Sequence, residues 1–101
     1  MRKYTVVLSP DPERGGYSVS VPAMPGAVTE GDNREEALRN AIEAMTGWLA
    51  VSLEHGEDAL EETPELIASE VASVLQDRDE LGWDRLVETA IVALDPVGVA
   101  A

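Results

Sequence analysis

Gly15-Gly16-Tyr17-Ser18-Val19-Ser20-Val21-Pro22-Ala23-Met24-Pro25-Gly26-Ala27-Val28-Thr29-Glu30-Gly31-Asp32-Asn33 is the stretch from which the fold can be read. Gly15-Gly16 opens a turn. From Tyr17 to Val21 apolar and polar residues alternate, so Tyr17, Val19 and Val21 share one face of a strand and Ser18 and Ser20 the other. Pro22 has no N–H to give a ladder and ends the pairing. Pro25-Gly26 makes a second turn, and Ala27 to Glu30 forms a second short strand. Gly31-Asp32-Asn33 then passes the chain to a helix.

Upstream, Tyr4 to Ser9 alternates Tyr4/Val6/Leu8 with Thr5/Val7/Ser9, giving one buried and one semi-polar face. The turn formers Pro10-Asp11-Pro12-Glu13-Arg14-Gly15 join it to Tyr17–Val21 as an antiparallel hairpin, with Tyr4, Leu8, Tyr17 and Val19 on one face. Downstream, Asn33 is placed to cap a helix. Glu36 stands three residues on, where its carboxylate can reach back to the cap's N–H. Leu38, Ala41, Ile42, Met45, Trp48, Leu49, Ser52 and Leu53 recur at three- and four-residue steps, the stripe of a helix lying on a sheet. His55-Gly56 ends that helix.

The order of these pieces resembles the HicB-like antitoxin family. The residues that carry the resemblance are Tyr4-Thr5-Val6-Val7-Leu8, Gly15 to Pro22, Met24 to Asp32, and the helical Glu35-Glu36-Ala37-Leu38-Arg39-Asn40-Ala41. The match spans roughly residues 3 to 56. It implies a reduced ribonuclease H-like fold and an acidic antitoxin that binds and occludes a small basic ribonuclease toxin, HicA, with no catalysis by this chain. Family members often add a C-terminal DNA-binding domain. That property is not transferred, because residues 57 to 101 are acidic and already occupied by a helix and a strand.

The second half is less explicit. Glu57 to Glu62 reads as an acidic linker. Thr63 caps a second helix with Pro64 at its first position, and Leu66, Ile67, Val71, Val74 and Leu75 give it a narrow apolar stripe. Gln76 to Gly82 reads as polar and turn-like. Leu86 to Leu94 fits a helical face through Trp83, Leu86, Val87, Ala90, Ile91 and Leu94, and equally a β-branched strand closed by Asp95-Pro96. Periodicity leaves the two open. The resemblance implies a final strand, taken as Val87 to Leu94. The expected fold is α/β of the α+β type. It has two layers: a three-stranded antiparallel sheet plus a final strand, and one long helix packed on one face. The expected organisation is one domain over 1–101: a core at 3–56, an acidic linker at 57–62, and a second helix and final strand at 63–95. Residues 97 to 101, small and apolar, are expected to fray.

Composition narrows the function classes. Twenty acids against seven bases give a net charge of −13. Residues 1 to 53 carry −2 of this and residues 54 to 101 carry −11. Such a field repels phosphates and suits a basic protein partner, so no nucleic acid is expected to bind this chain alone. There is no cysteine, which removes thiolate metal sites and cysteine nucleophiles. No signal peptide and no membrane span are read, so a cytoplasmic protein is expected.

Catalytic, metal-binding and cofactor-binding residues are all expected to be absent. Nuclease chemistry needs carboxylates converging on a metal from a central strand, yet Tyr4–Ser9 and Tyr17–Val21 carry no acid. Asp11, Glu13, Glu30 and Asp32 sit in turns or at strand ends. His55, the one histidine, is a favourable helix-end residue. The expected partner-binding residues are Glu57, Asp58, Glu61, Glu62 and Glu65, with Glu54 at their margin; the alternative is a solvated linker. Gly47 and Trp48 are the expected oligomer interface, since glycine beside a large aromatic permits close approach, and a homodimer is the commonest closed assembly. The favoured function is an antitoxin-like binding protein. The alternatives are an orphan oligomeric scaffold without a toxin and a residual metal-dependent nuclease.

Overall fold

In the computed structural model, residues 1–95 are described. They form β1 (Arg2–Pro10), β2 (Tyr17–Ser20), β3 (Val28–Gly31), α1 (Arg34–Glu54), α2 (Pro64–Leu81) and β4 (Glu88–Leu94). The expectation about residues 97 to 101 lies outside the described residues. The four strands make one antiparallel sheet in the order β3-β2-β1-β4.

The hairpin pairs Val7 with Ser20 and Pro10 with Tyr17. β2 therefore covers only the second half of β1. β4 lies on the other side and runs the length of β1, from Arg2 opposite Leu94 to Leu8 opposite Glu88. The ambiguous stretch is thus a strand. Its alternation decides the matter in the folded chain: Val92 and Leu94 are buried, while Ile91 is 74 % exposed.

The inner face of the sheet, Tyr4, Val6, Leu8, Val19, Val92 and Leu94, forms the core with α1. From α1 the fully buried residues are Ala37, Ala41, Met45 and Leu49, one every four positions. This seam is narrower than the expected stripe, and Ile42 and Leu53 stay exposed. The two alanines let the start of α1 settle close to the sheet. Gly31 shows how close: a Cβ there would run into the backbone of Ala37. Gly16, at φ +78°, meets the Gly31 carbonyl in the same way, so a side chain is excluded on both conformational and steric grounds. Residues 21–27 close one end of the core with Val21, Ala23, Met24 and Ala27.

Asn33 caps α1 as its position predicts, its Oδ1 accepting the Glu36 N–H at 2.8 Å. Glu36 does reach back, but its carboxylate accepts from Asp32 N–H, one residue before the cap, at 3.1 Å.

α2 lies across the opposite face of the sheet and buries Thr5 and Val7 of β1 beneath it. The semi-polar face of β1 is therefore also covered. One expectation is corrected here. The second helix is 18 residues long, and Gln76 to Leu81 belong to it and not to a turn. Arg78 extends the stripe by one step from Val74 and is the one α2 residue that is fully buried.

Candidate partner interface

The linker is built into the fold. Leu60 N–H donates to the Ala23 carbonyl at 2.8 Å, and Ala59 packs on the core. Asp58 pairs bidentately with Arg2, Oδ1 to Nη1 at 2.6 Å and Oδ2 to Nη2 at 2.9 Å. The Arg2 guanidinium, followed by the Ala59 N–H, holds the Asp58 carboxyl below the ordinary aspartate range. Glu62 accepts the backbone N–H of Thr5 at 2.5 Å. The reason is topological: β2 ends at Ser20 and Pro22 has no N–H, so the first half of β1 lacks a strand on that side. The Glu62 carboxylate supplies the missing acceptor.

The five expected partner-binding acids thus divide. Asp58 and Glu62 hold the linker to β1. Glu57, Glu61 and Glu65 are exposed, and their carboxylates make no hydrogen bond among the described residues. Glu65 stands in the first turn of α2, where a carboxylate suits the helix dipole. Glu54 is exposed at the end of α1.

α2 is fastened at its far end by Arg78, which is 2 % exposed. Its Nη1 donates to Ser9 Oγ at 2.7 Å and to the Pro10 carbonyl at 2.5 Å. Its Nε donates to the Asp84 carbonyl at 2.6 Å and its Nη2 to Asp84 Oδ1 at 2.8 Å. The guanidinium also lies 5.3 Å from the centroid of Trp83, within cation–π range. Arg78, followed by the Leu86 N–H, holds the Asp84 carboxyl below its ordinary range. Sequence reasoning placed Arg78 in a turn. The signal available was its four-residue step from Val74, with a glycine and a tryptophan following at Gly82 and Trp83.

Between α2 and the outer face of β2 and β3 runs an open groove of about 570 Å³. Ser18, Ser20 and Val28 form its floor, and Val74, Leu81 and Trp83 its opposite wall. Glu30, Glu70 and Asp77 stand along it.

Gly47 and Trp48 differ in setting. Gly47 is exposed, with open space where a side chain would be. Trp48 is half-buried against the core, and its indole N–H donates to the Pro25 carbonyl at 3.0 Å, tying α1 to the 21–27 segment. His55 caps α1 and its Nδ1–H meets the Val51 carbonyl at 2.8 Å, a helix-end role. Asp11 accepts from the N–H groups of Glu13 and Arg14, within its turn. No group of three or more histidines or carboxylates converges to hold a metal among the described residues. No helix there is long and apolar enough to cross a membrane.

Comparison with known proteins gives this geometry a context. A UPF0150 protein of Thermoplasma acidophilum is 44 % identical over 55 residues, 54 % of this chain and 78 % of that protein. Antitoxin HicB 1 of Photorhabdus laumondii subsp. laumondii is 54 % identical over 43 residues, 43 % of this chain but 27 % of its own length. The crystal structure of the Burkholderia pseudomallei antitoxin HicB superposes at a TM-score of 0.61 with 26 % identity, covering 94 % of this chain and 64 % of that one. The chain therefore spans about a quarter of one HicB antitoxin and under two thirds of the other. A chain of the HicA3 and HicB3 toxin-antitoxin complex shares the fold at a TM-score of 0.60 and 17 % identity, over 94 % of this chain and all of that one. The family model described as HicB_like antitoxin of bacterial toxin-antitoxin system matches residues 4–97, and the chain belongs to that family.

Proposed function

We propose that this chain is the antitoxin of a toxin–antitoxin pair. It binds a small basic ribonuclease toxin of the HicA type and masks it sterically and electrostatically, without catalysis of its own, in the cytoplasm. The observation that carries this reading is the unpartnered acidity of the second half. Glu57, Glu61 and Glu65 stand exposed in one short segment of a region carrying −11. Exposed acids of one sign raise the encounter rate with a basic protein and suppress acidic partners. Family membership and the toxin-bound structural relative support the same reading. The test is to mix the purified chain with a HicA-type ribonuclease toxin. A stoichiometric complex and arrest of RNA cleavage are expected. Undiminished cleavage at excess antitoxin, with no complex on a sizing column, would overturn the proposal.

One observation favours a second reading, a self-associating scaffold without a toxin. β4 is an edge strand and presents Ile91 74 % exposed on its outer side. Unprotected edges of this kind are pairing templates. Sedimentation at high micromolar concentration decides it: a dimer is expected, and monomer alone counts against it.

A further inference from the structure

We propose that the groove between α2 and the outer face of β2–β3 is the docking site for an extended, basic, apolar-bearing segment of the partner protein. The inference rests on the antitoxin reading for the partner's basic character, and assigns the place of contact. Three observations carry it.

The groove has apolar walls that nothing in the chain covers. Val28 is 69 % exposed on the floor and Leu81 60 % on the helix side, though they face one space. Apolar surface left open in this way between two elements is the usual mark of a binding groove. Its volume of about 570 Å³ accommodates a few side chains of an extended segment, not a second helix with its diameter of about 10 Å.

The groove is also negative. Glu30, Glu70 and Asp77 line it, and its one cation, Arg78, is buried and paired with Asp84. Lysine or arginine side chains flanking the apolar ones therefore complete it. A second copy of this chain does not, because each copy carries −13 and adds carboxylates to carboxylates. Phosphate-bearing ligands are repelled for the same reason.

Finally, the floor holds an unused hydrogen-bonding group. Ser20 Oγ is buried with no partner among the described residues. Buried hydroxyls are normally satisfied, and a peptide backbone that displaces the side chains covering Ser20 would supply the partner.

The test uses the intact chain and a short synthetic peptide alternating leucine with lysine, followed by NMR. Saturable shifts are expected at the Val28, Glu70 and Asp77 amides and the Trp83 indole, with residues 56 to 61 unmoved. Affinity should fall steeply with added salt. Glu70→Gln with Asp77→Gln should weaken binding about tenfold, and Glu57→Gln with Glu61→Gln, which act only through the long-range field, should weaken it by much less. Val28→Lys, a substitution at an exposed position, should abolish binding. Absence of saturable shifts would overturn the proposal, as would equal binding of a leucine–glutamate peptide or loss of binding in the linker pair alone. Failure here is distinct from failure of the antitoxin reading. If the Glu70→Gln/Asp77→Gln and Val28→Lys chains arrest the toxin as well as the parent does, the groove assignment falls and the antitoxin reading stands.

Discussion

Arg78 is a buried cation whose four hydrogen bonds join the end of β1 to the segment after α2, where it also stacks on Trp83. Removing it leaves Ser9 Oγ and the Pro10 carbonyl without their donor. Arg78→Ala should therefore cost about 3 kcal/mol in urea unfolding. Arg78→Lys should recover little, because an ammonium cannot reproduce the planar fork that reaches both carbonyls and the carboxylate. A loss below about 1 kcal/mol for the alanine variant would contradict this role. Asn33→Ala should cost about 1 kcal/mol through the first-turn N–H it leaves unmet. Part of the acid limb of stability follows from Asp58 and Asp84. Each has its carboxyl pKa held below the unfolded value by an arginine. Their contribution is thus complete above about pH 4 and is lost as pH falls through the lowered folded-state values. Unfolding midpoints measured from pH 6 downward should decline only below that point, and Arg2→Ala should flatten the decline. The cap was legible in the sequence, because asparagine before a helical stripe has one local meaning. Arg78 was not legible. A buried arginine is recognisable only from partners 68 and 69 residues away.

The two helices are held by different physics. α1 seals the core through Ala37, Ala41, Met45 and Leu49, all fully buried. α2 buries only Arg78 fully, while Leu66, Ile67, Val71, Val74 and Leu75 remain partly exposed. It is fastened mainly near its ends, by Glu62 before it and Arg78 within its last turn. Amide exchange should therefore be faster throughout α2 than in α1, since local opening tracks buried apolar contact. Arg78→Ala should accelerate exchange in α2 selectively. Equal protection of the two helices would show that α2 belongs to the same cooperative unit as the core. This difference also explains which elements could be read in advance. The hairpin, β3 and α1 have strong local patterns and pack on one another. The end of α2 has a weak apolar period, and Gln76 to Leu81 reads as polar because its one inward residue is an arginine. β4 satisfied two periods at once. What selects the strand is the open side of β1, on which Val92 and Leu94 complete the inner face opposite Tyr4 and Arg2. That open side belongs to the assembled sheet and leaves no trace in the local pattern of residues 86 to 94. The acidic linker was visible as a charge run, but the use of Asp58 and Glu62 inside the molecule was not, because their partners lie at the far end of the chain.

At the scale of the whole molecule, the decisive property is the separation of charge along the chain. The seven bases do not gather. β1 keeps Arg2 at one end of a nine-residue strand, about 30 Å long, and the turn that holds Arg14 at the other. Arg2, Arg34, Arg39, Arg78 and Arg85 each pair with a carboxylate: Asp58, Glu88, Glu35, Asp84 and Asp79 respectively. Among the described residues, only Lys3 and Arg14 have no such pair. Nucleic-acid affinity depends on several cations releasing counterions from neighbouring phosphates, and two separated cations in a field of −13 do not provide it. Duplex DNA should therefore fail to bind this chain at physiological salt in a mobility-shift assay, and a shifted band would refute the charge argument. With a basic toxin the same field acts in the opposite sense. Replacing Glu57, Glu61 and Glu65 by glutamine removes three exposed charges and none of the internal hydrogen bonds that Asp58 and Glu62 make. Stopped-flow association should slow several-fold at low ionic strength. The difference should shrink as the Debye length falls to about 8 Å near 0.15 M salt. Dissociation should change little, because rim charges act on encounter more than on the formed contact. The groove substitutions Glu70→Gln and Asp77→Gln should instead raise the dissociation rate. An association rate indifferent to the linker charges at low salt would make that segment a solvated crossing between the two faces of the sheet.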